Sequence, residues 1–226
     1  MPMNIALDGP VGAGKSSIAD MVAKRLDILH LDTGAMYRAV ALYMLRLGVD
    51  LQDEQAVSGR CEGARVSVLY EGGEQRTLLC GEDVSELIRT PEVSAAASAV
   101  SRWSAVRRRM VAAQRELAKT ADMLIDGRDI GTNVLPGAPV KIYLTASPEE
   151  RARRRYLQQI ERGDNEPFEQ VLARLNARDA QDMNRPTDPL RVADGATVVD
   201  STGLSQQEVV ERIVAIVEEA YGKQGE

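Results

Sequence analysis

Ten residues near the N-terminus, Asp8 to Ser17 (D-G-P-V-G-A-G-K-S-S), constrain this chain more than any other stretch. A short apolar run, Asn4 to Leu7, precedes them and a helical pattern opens at Lys15, so the order is strand, glycine loop, helix. Gly9, Gly14, Lys15 and Ser16 stand at the spacing G-x-x-x-x-G-K-[ST], in which loop N–H groups, a helix N-terminus and a lysine converge on nucleotide phosphates. On that reading Gly9, Pro10, Val11, Gly12, Ala13, Gly14, Lys15, Ser16 and Ser17 hold a nucleotide, and the Ser16 hydroxyl is placed to reach a Mg²⁺ beside its phosphates.

The rest of the composition narrows the class. With 226 residues the chain buries roughly 70% of its extended surface, enough for one sizeable core without staples. Cys61 and Cys80 show no metal-ligand spacing and no secretory signal precedes them, so a reduced, cytoplasmic setting is expected. No apolar run reaches the ~18 residues of a membrane span, which argues against a membrane partner. A net charge of −6 argues against coating a nucleic acid polymer, yet Arg107 to Arg109 and Arg151 to Arg155 form dense local clusters. Those suit a small polyanion held in a cleft.

Along the chain, strands alternate with helices. Ile28 to Leu31 reads as a second strand ending in D-T-G-A-M-Y-R, which places Thr33, Tyr37 and Arg38 at a helix N-terminus beyond a strand end. Arg38 has the charge for a second phosphate. Residues 50–89 break the rhythm: Val66 to Tyr70 and Arg76 to Cys80 flank a Gly-containing turn and read as a hairpin insert projecting from the core. Thr90-Pro91 restarts a helix, and another runs from near Ser104 to Leu117. Met123 to Ile125 is a third strand whose end carries Asp126, placed to hold Mg²⁺ or its waters. Val140 to Leu144 is a fourth, followed by a helix in which Arg151, Arg154 and Arg155 share a face as a grip for phosphate. Gly163 to Pro167 reads as a mobile tip before a helix from Phe168 to about Asn184, and Thr197 to Val199 makes a fifth strand ahead of a closing amphipathic helix. A parallel sheet of about five strands follows.

With G-P-V-G-A-G-K-S-S, D-T-G-A-M-Y-R, D-G-R-D-I-G-T, E-E-R-A-R-R-R and R-D-A-Q-D-M-N-R in this order, the chain resembles the bacterial-type cytidylate kinases of the nucleoside monophosphate kinase family over nearly its whole length. The resemblance implies an α/β, three-layer P-loop kinase fold with a five-stranded parallel sheet ordered 2-3-1-4-5. It implies a single P-loop kinase chain over 1–226, with 1–32, 90–150 and 186–226 as core, 33–89 as a monophosphate-binding region and 151–185 as a helical lid. It also implies roles. Thr33, Arg38 and Arg128 would hold the acceptor phosphate and Tyr37 would line that site. Ser98, Arg107 and Asp129 would read cytosine, and Arg178, Asp182 and Arg185 would reach the ribose and phosphate side.

The expected reaction transfers the γ-phosphoryl group of ATP to CMP or dCMP, giving ADP and CDP or dCDP. Lys15, Arg128, Arg151, Arg154 and Arg155 are the expected catalytic cations, Ser16 and Asp126 the metal site, and a monomer is expected. The acceptor phosphate has a second pKa of about 6, so it is already a dianionic nucleophile and demands no protein base. Positioning and cations are what the chain must supply. Cytosine presents an amino donor beside acceptors, which a carboxylate and an arginine together complement. His30, the sole histidine, lies inside a strand and reads as structural. Two other readings remain open at this point: a kinase for UMP, dTMP or a shikimate-like hydroxyl metabolite, with Asp126 or Asp129 as base, and a nucleotide-dependent interaction module.

Overall fold

The computed structural model describes residues 2–161 and 163–222; Met1, Arg162 and residues 223–226, which fall in the expected core and lid, lie outside the described residues. In chain order come β1 (Asn4–Asp8), α1 (Lys15–Leu26), β2 (Leu29–Asp32), α2 (Thr33–Arg46), α3 (Glu54–Arg60), β3 (Val66–Glu71), β4 (Glu74–Leu79), β5 (Glu82–Asp83), α4 (Pro91–Val100), α5 (Ser104–Leu117), β6 (Met123–Asp126), β7 (Val140–Thr145), α6 (Pro148–Glu161), α7 (Phe168–Asn184), β8 (Thr197–Asp200) and α8 (Gln206–Gly222). Five strands form one sheet in the order β2-β6-β1-β7-β8, which is 2-3-1-4-5 when those five alone are counted. β1 pairs in parallel with β6 and β7, and β8 in parallel with β7. Such strands are covered on both faces, so β1 beyond Asn4 and all of β6 are buried runs without alternation.

The chain divides into two compact units, one formed by residues 29–122 and the other by residues 3–28 with 123–226. In the latter, Ile5, Leu7, Ile142 and Leu144 of the strands meet Ile18 and Val22 of α1 and Val210, Ile213 and Val217 of α8 in one core. Ala152 of α6 packs with Val171 and Leu175 of α7 in a smaller cluster that takes in Val11. Parallel register brings the ends of neighbouring strands level: Leu7 faces Asp126, Asp8 faces Tyr143 and Thr145 faces Asp200. The loops that leave these carboxyl ends are where an open α/β sheet binds its ligand.

In the unit of residues 29–122, Thr90 caps α4 as its side chain accepts the Val93 N–H, with Pro91 at the first helical position. The expected hairpin is present, β3 against β4 from Val66↔Leu79 to Glu71↔Glu74. It extends further than the sequence reading: β5 adds to β4 and makes a three-stranded antiparallel sheet. A two-residue strand carries too little pattern to be read from sequence. Helix α3 was also not anticipated; Asp53 caps it by accepting from Gln55 and Ala56 N–H groups, a signal the breaker-rich surroundings obscure. One π-helical turn, Ile130–Val134, follows D-G-R-D, and such turns concentrate at functional sites.

Candidate active site

The glycine loop is built as its spacing demands. Gly9 has φ +149° and a Cβ there would lie 2.0 Å from the Leu144 carbonyl oxygen, so no other residue fits against β7. Gly14, at φ 86°, precedes α1 without a side-chain cap, leaving first-turn N–H groups for an anion. Lys15 is buried and its Nζ donates to Pro10 O at 2.8 Å across the loop. Burial, with Arg128 nearby, drives the Lys15 ammonium down to about 7 despite Asp126, Asp182 and Asp8. Ser16 Oγ donates to Asp126 Oδ2 at 2.9 Å. A hydroxyl and a carboxylate side by side at the edge of a phosphate loop are the oxygen donors that fit Mg²⁺ and its waters. Among the described residues no group of three or more His, Cys, Asp or Glu is placed to hold a metal ion.

At the end of β6, a charged cluster gathers residues far apart in sequence. Arg128 Nε donates to Asp182 Oδ2 at 2.9 Å, Arg178 lies 3.5 Å from Asp182 Oδ1, and Arg185 Nη2 donates to Asp129 Oδ1 at 3.1 Å. Burial opposes the charges of Arg128, Arg178 and Asp182. For Arg128 the neighbouring Asp182 and Asp126 prevail and its pKa rises, whereas burial prevails at Arg178 and lowers it. Asp182 is held below the usual carboxylate range because Arg128, Arg178 and Arg185 outweigh its desolvation. Arg178 Nε is buried and makes no hydrogen bond among the described residues, facing Asp182 Oδ1 at ion-pair distance, 3.5 Å.

The unit of residues 29–122 holds the other expected contacts. Thr33, buried, opens α2. Asp32 caps that helix by accepting from Ala35 N–H at 3.0 Å and binds Arg38 Nη2 at 2.6 Å, so it aims Arg38. Arg38 Nε is likewise buried and without a partner among the described residues. Gln75 of β4 ties the insert to this turn, accepting from Asp32 N–H at 2.8 Å and donating to Asp32 O at 3.3 Å. Arg107 is fully buried in α5 with its guanidinium 5.7 Å from the centre of the Tyr37 ring, and Ser98 lies on α4.

A family model described as cytidylate kinase matches residues 5–219. The chain belongs to the cytidylate kinase family. Among its relatives, the cytidylate kinase of Caldicellulosiruptor bescii is 46% identical over 214 residues, 95% of each chain. That of Geobacillus kaustophilus is 46% identical over 220 residues, covering 97% of this chain and 98% of the other. That of Rhodococcus jostii is 47% identical over 219 residues, 96% of each. By structure, an uncharacterized protein from Eubacterium ventriosum shares the fold at a TM-score of 0.57 and 9% identity, covering 97% of this chain and 99% of the other.

Within this member of the cytidylate kinase family, the arginines of α6 depart from the expected single face. Arg151 is buried; its Nε donates to Ala146 O at 2.9 Å and its Nη1 to Val11 O at 2.8 Å and to the Asp179 carboxylate. Arg154 binds Glu150 at 3.0 Å and Ser201 Oγ and O at 3.1 and 2.7 Å, while Arg155 is exposed. Three residues on one arc of an isolated helix are sorted by what that helix packs against, which helical spacing alone does not encode. The sequence reading also missed Asp8 as a site residue. Its two oxygens accept the Ile130 and Gly131 N–H groups at 2.8 and 2.7 Å, fixing the backbone just after Asp129. Burial, against those two hydrogen bonds, lifts the Asp8 carboxyl to about 6.

Proposed function

We infer that this chain transfers the γ-phosphoryl group of ATP to CMP or dCMP, giving ADP and CDP or dCDP. The family match over residues 5–219 carries this reading, and the buried Nε–H of Arg38, without a hydrogen bond among the described residues, supports it as a place for acceptor phosphate oxygen. We propose that Gly9 to Ser17 bind the ATP phosphates and that Lys15 neutralises charge on the group in transfer. Mg²⁺, with Ser16 as ligand and Asp126 on its waters, would shield the repulsion between the two nucleotides. Thr33, Arg38 and Arg128 take the acceptor phosphate, Tyr37 lines it, Ser98, Arg107 and Asp129 read cytosine, and Arg178, Asp182 and Arg185 serve the ribose and phosphate side. Arg154 and Arg155 join Arg128 in countering charge as the phosphoryl group moves. Asp129 is already turned by Arg185 and by Asn133 Nδ2 at 3.1 Å, an orientation suited to the cytosine amino group.

We further propose residues 33–89 as the monophosphate-binding region, residues 151–185 as a lid, and a cytoplasmic monomer; two free cysteines, one buried and one exposed, agree with a reducing setting. Among the described residues no helix is long and apolar enough to cross a membrane. A coupled ADP-release assay with CMP, dCMP, UMP, dTMP and shikimate in parallel tests the reading. CMP and dCMP are expected to lead in kcat/KM, and equal or better turnover of another acceptor overturns it.

A further inference from the structure

The glycine loop is held from outside by the two helices expected to act as a lid. Val11 N–H donates to Asp179 Oδ1 of α7 at 3.1 Å, and Val11 O accepts from Arg151 Nη1 of α6 at 2.8 Å. Arg151 and Asp179 complete the triangle by pairing with each other, their side chains 5% and 8% exposed. A second anchor for Arg151, the Ala146 carbonyl beyond β7, fixes its guanidinium plane at 2.9 Å from Nε. Two further contacts place the loop on the same helices. The Val11 side chain joins the Ala152, Val171 and Leu175 cluster, and a Cβ on Gly12 would lie 3.1 Å from Leu175 Cδ1 and 3.2 Å from Arg151 Cβ.

The electrostatics run against a casual pairing. A carboxylate near the C-terminal end of a helix opposes the macrodipole, and burying both ions forfeits their hydration. What this pair gains is hold on both backbone polar groups of one loop residue, which a hydrophobic substitute would leave unsatisfied. The planar fork of arginine suits three acceptors at fixed angles; a lysine ammonium does not.

We propose that Asp179 and Arg151 are positioning residues for the ATP phosphates: the pair sets the shape of the loop at Val11 and Gly12, and Arg151 acts through that backbone instead of on the phosphoryl group. The proposal rests on reading Gly9 to Ser17 as the ATP loop. It makes the lid helices a template for the donor site at their base, whatever their far ends do.

The test compares the full-length chain with its Arg151→Lys and Asp179→Asn variants and the double variant, by calorimetric titration with Mg-ADP and by steady-state kinetics, after thermal melting has confirmed folding. Each single variant is expected to weaken ADP binding and raise KM for ATP roughly ten- to hundredfold, with a much smaller fall in turnover at saturating ATP. The double variant should be no worse than the more affected single one, because the two act as a unit. A hundredfold fall in turnover with unchanged ADP affinity places Arg151 on the phosphoryl group and overturns the proposal. So does ADP affinity equal to wild type in both variants. Wild-type protein that binds no ADP would instead remove the reading of the loop itself. Amide exchange at Val11 gives an answer that does not depend on activity: it should quicken in Asp179→Asn, and an unaltered rate contradicts the hold on Val11.

Discussion

Two groups of arginines lie within the unit of residues 3–28 and 123–226 and solve opposite problems. Arg151 and Arg154 on α6 each pair with a carboxylate, Asp179 and Glu150, and also direct hydrogen bonds to backbone carbonyls remote in sequence, at Ala146 and Val11 for one and at Ser201 for the other. Arg128 and Arg178 instead share the Asp182 carboxylate, each through its Nε, at 2.9 and 3.5 Å. A guanidinium fixed on carbonyls has its geometry set by the fold and serves to hold the chain. The two that share Asp182 have their pKa displaced, upward for Arg128 and downward for Arg178. Arg151, anchored on two backbone carbonyls remote in sequence, is proposed to shape the donor loop, and Arg128 and Arg178, which share one carboxylate, are proposed to meet the acceptor.

Lys15 presses hardest on that distinction, because its Nζ bonds a carbonyl, Pro10 O, yet it is proposed to neutralise charge on the group in transfer. Lys15→Ala should cost about a thousandfold in turnover with the fold retained, measured by ADP release and circular dichroism; near-normal turnover would collapse the distinction. Asp129 tests it from the acidic side. Asp129→Ala should lower kcat/KM roughly a hundredfold for CMP and far less for UMP, whereas equal losses would make Asp129 a mere partner of Arg185.

A pH series sharpens the contrast next. Lys15, lowered to about 7 by burial, is charged below that value and neutral above it in the folded chain, while in the unfolded chain it keeps its proton to a much higher pH. Between those limits the unfolded state binds more protons, so this group adds stability as pH rises through 7. ADP affinity should move the other way, falling by up to about tenfold per pH unit above 7, and Lys15→Met should flatten both trends. Paired melting and titration curves that rise together would contradict it. At the small end, Arg153 is 68% exposed with Glu150 only at 3.8 Å, so Arg153→Ala should change stability by less than about 0.5 kcal/mol and leave turnover alone.

How far the sequence spoke depends on how local the signal was. The phosphate loop, the Thr90-Pro91 cap and α7 from Phe168 to Asn184 were legible because each is set by neighbours within one or two turns. Asp126 was legible too, since a strand end followed by glycine places an acid where a parallel sheet opens. Hidden were interactions closed by the fold. The grip of Asp179 on Val11 spans 168 residues and the clasp of Asp8 on Ile130 spans 122, and no spacing rule reports such distances. Arg151, Arg154 and Arg155 looked alike in sequence because helical spacing assigns a face without saying what covers it. The short β5 and the π-helical turn at Ile130–Val134 lacked any run long enough to register.

Calorimetric titration of an Arg178→Ala variant with CMP and, separately, with Mg-ADP tests most directly whether the arginines that share Asp182 serve the acceptor while Arg151 shapes the donor loop. CMP affinity should fall by about tenfold or more with ADP affinity within about twofold of wild type. A variant that loses ADP and keeps CMP would contradict that division.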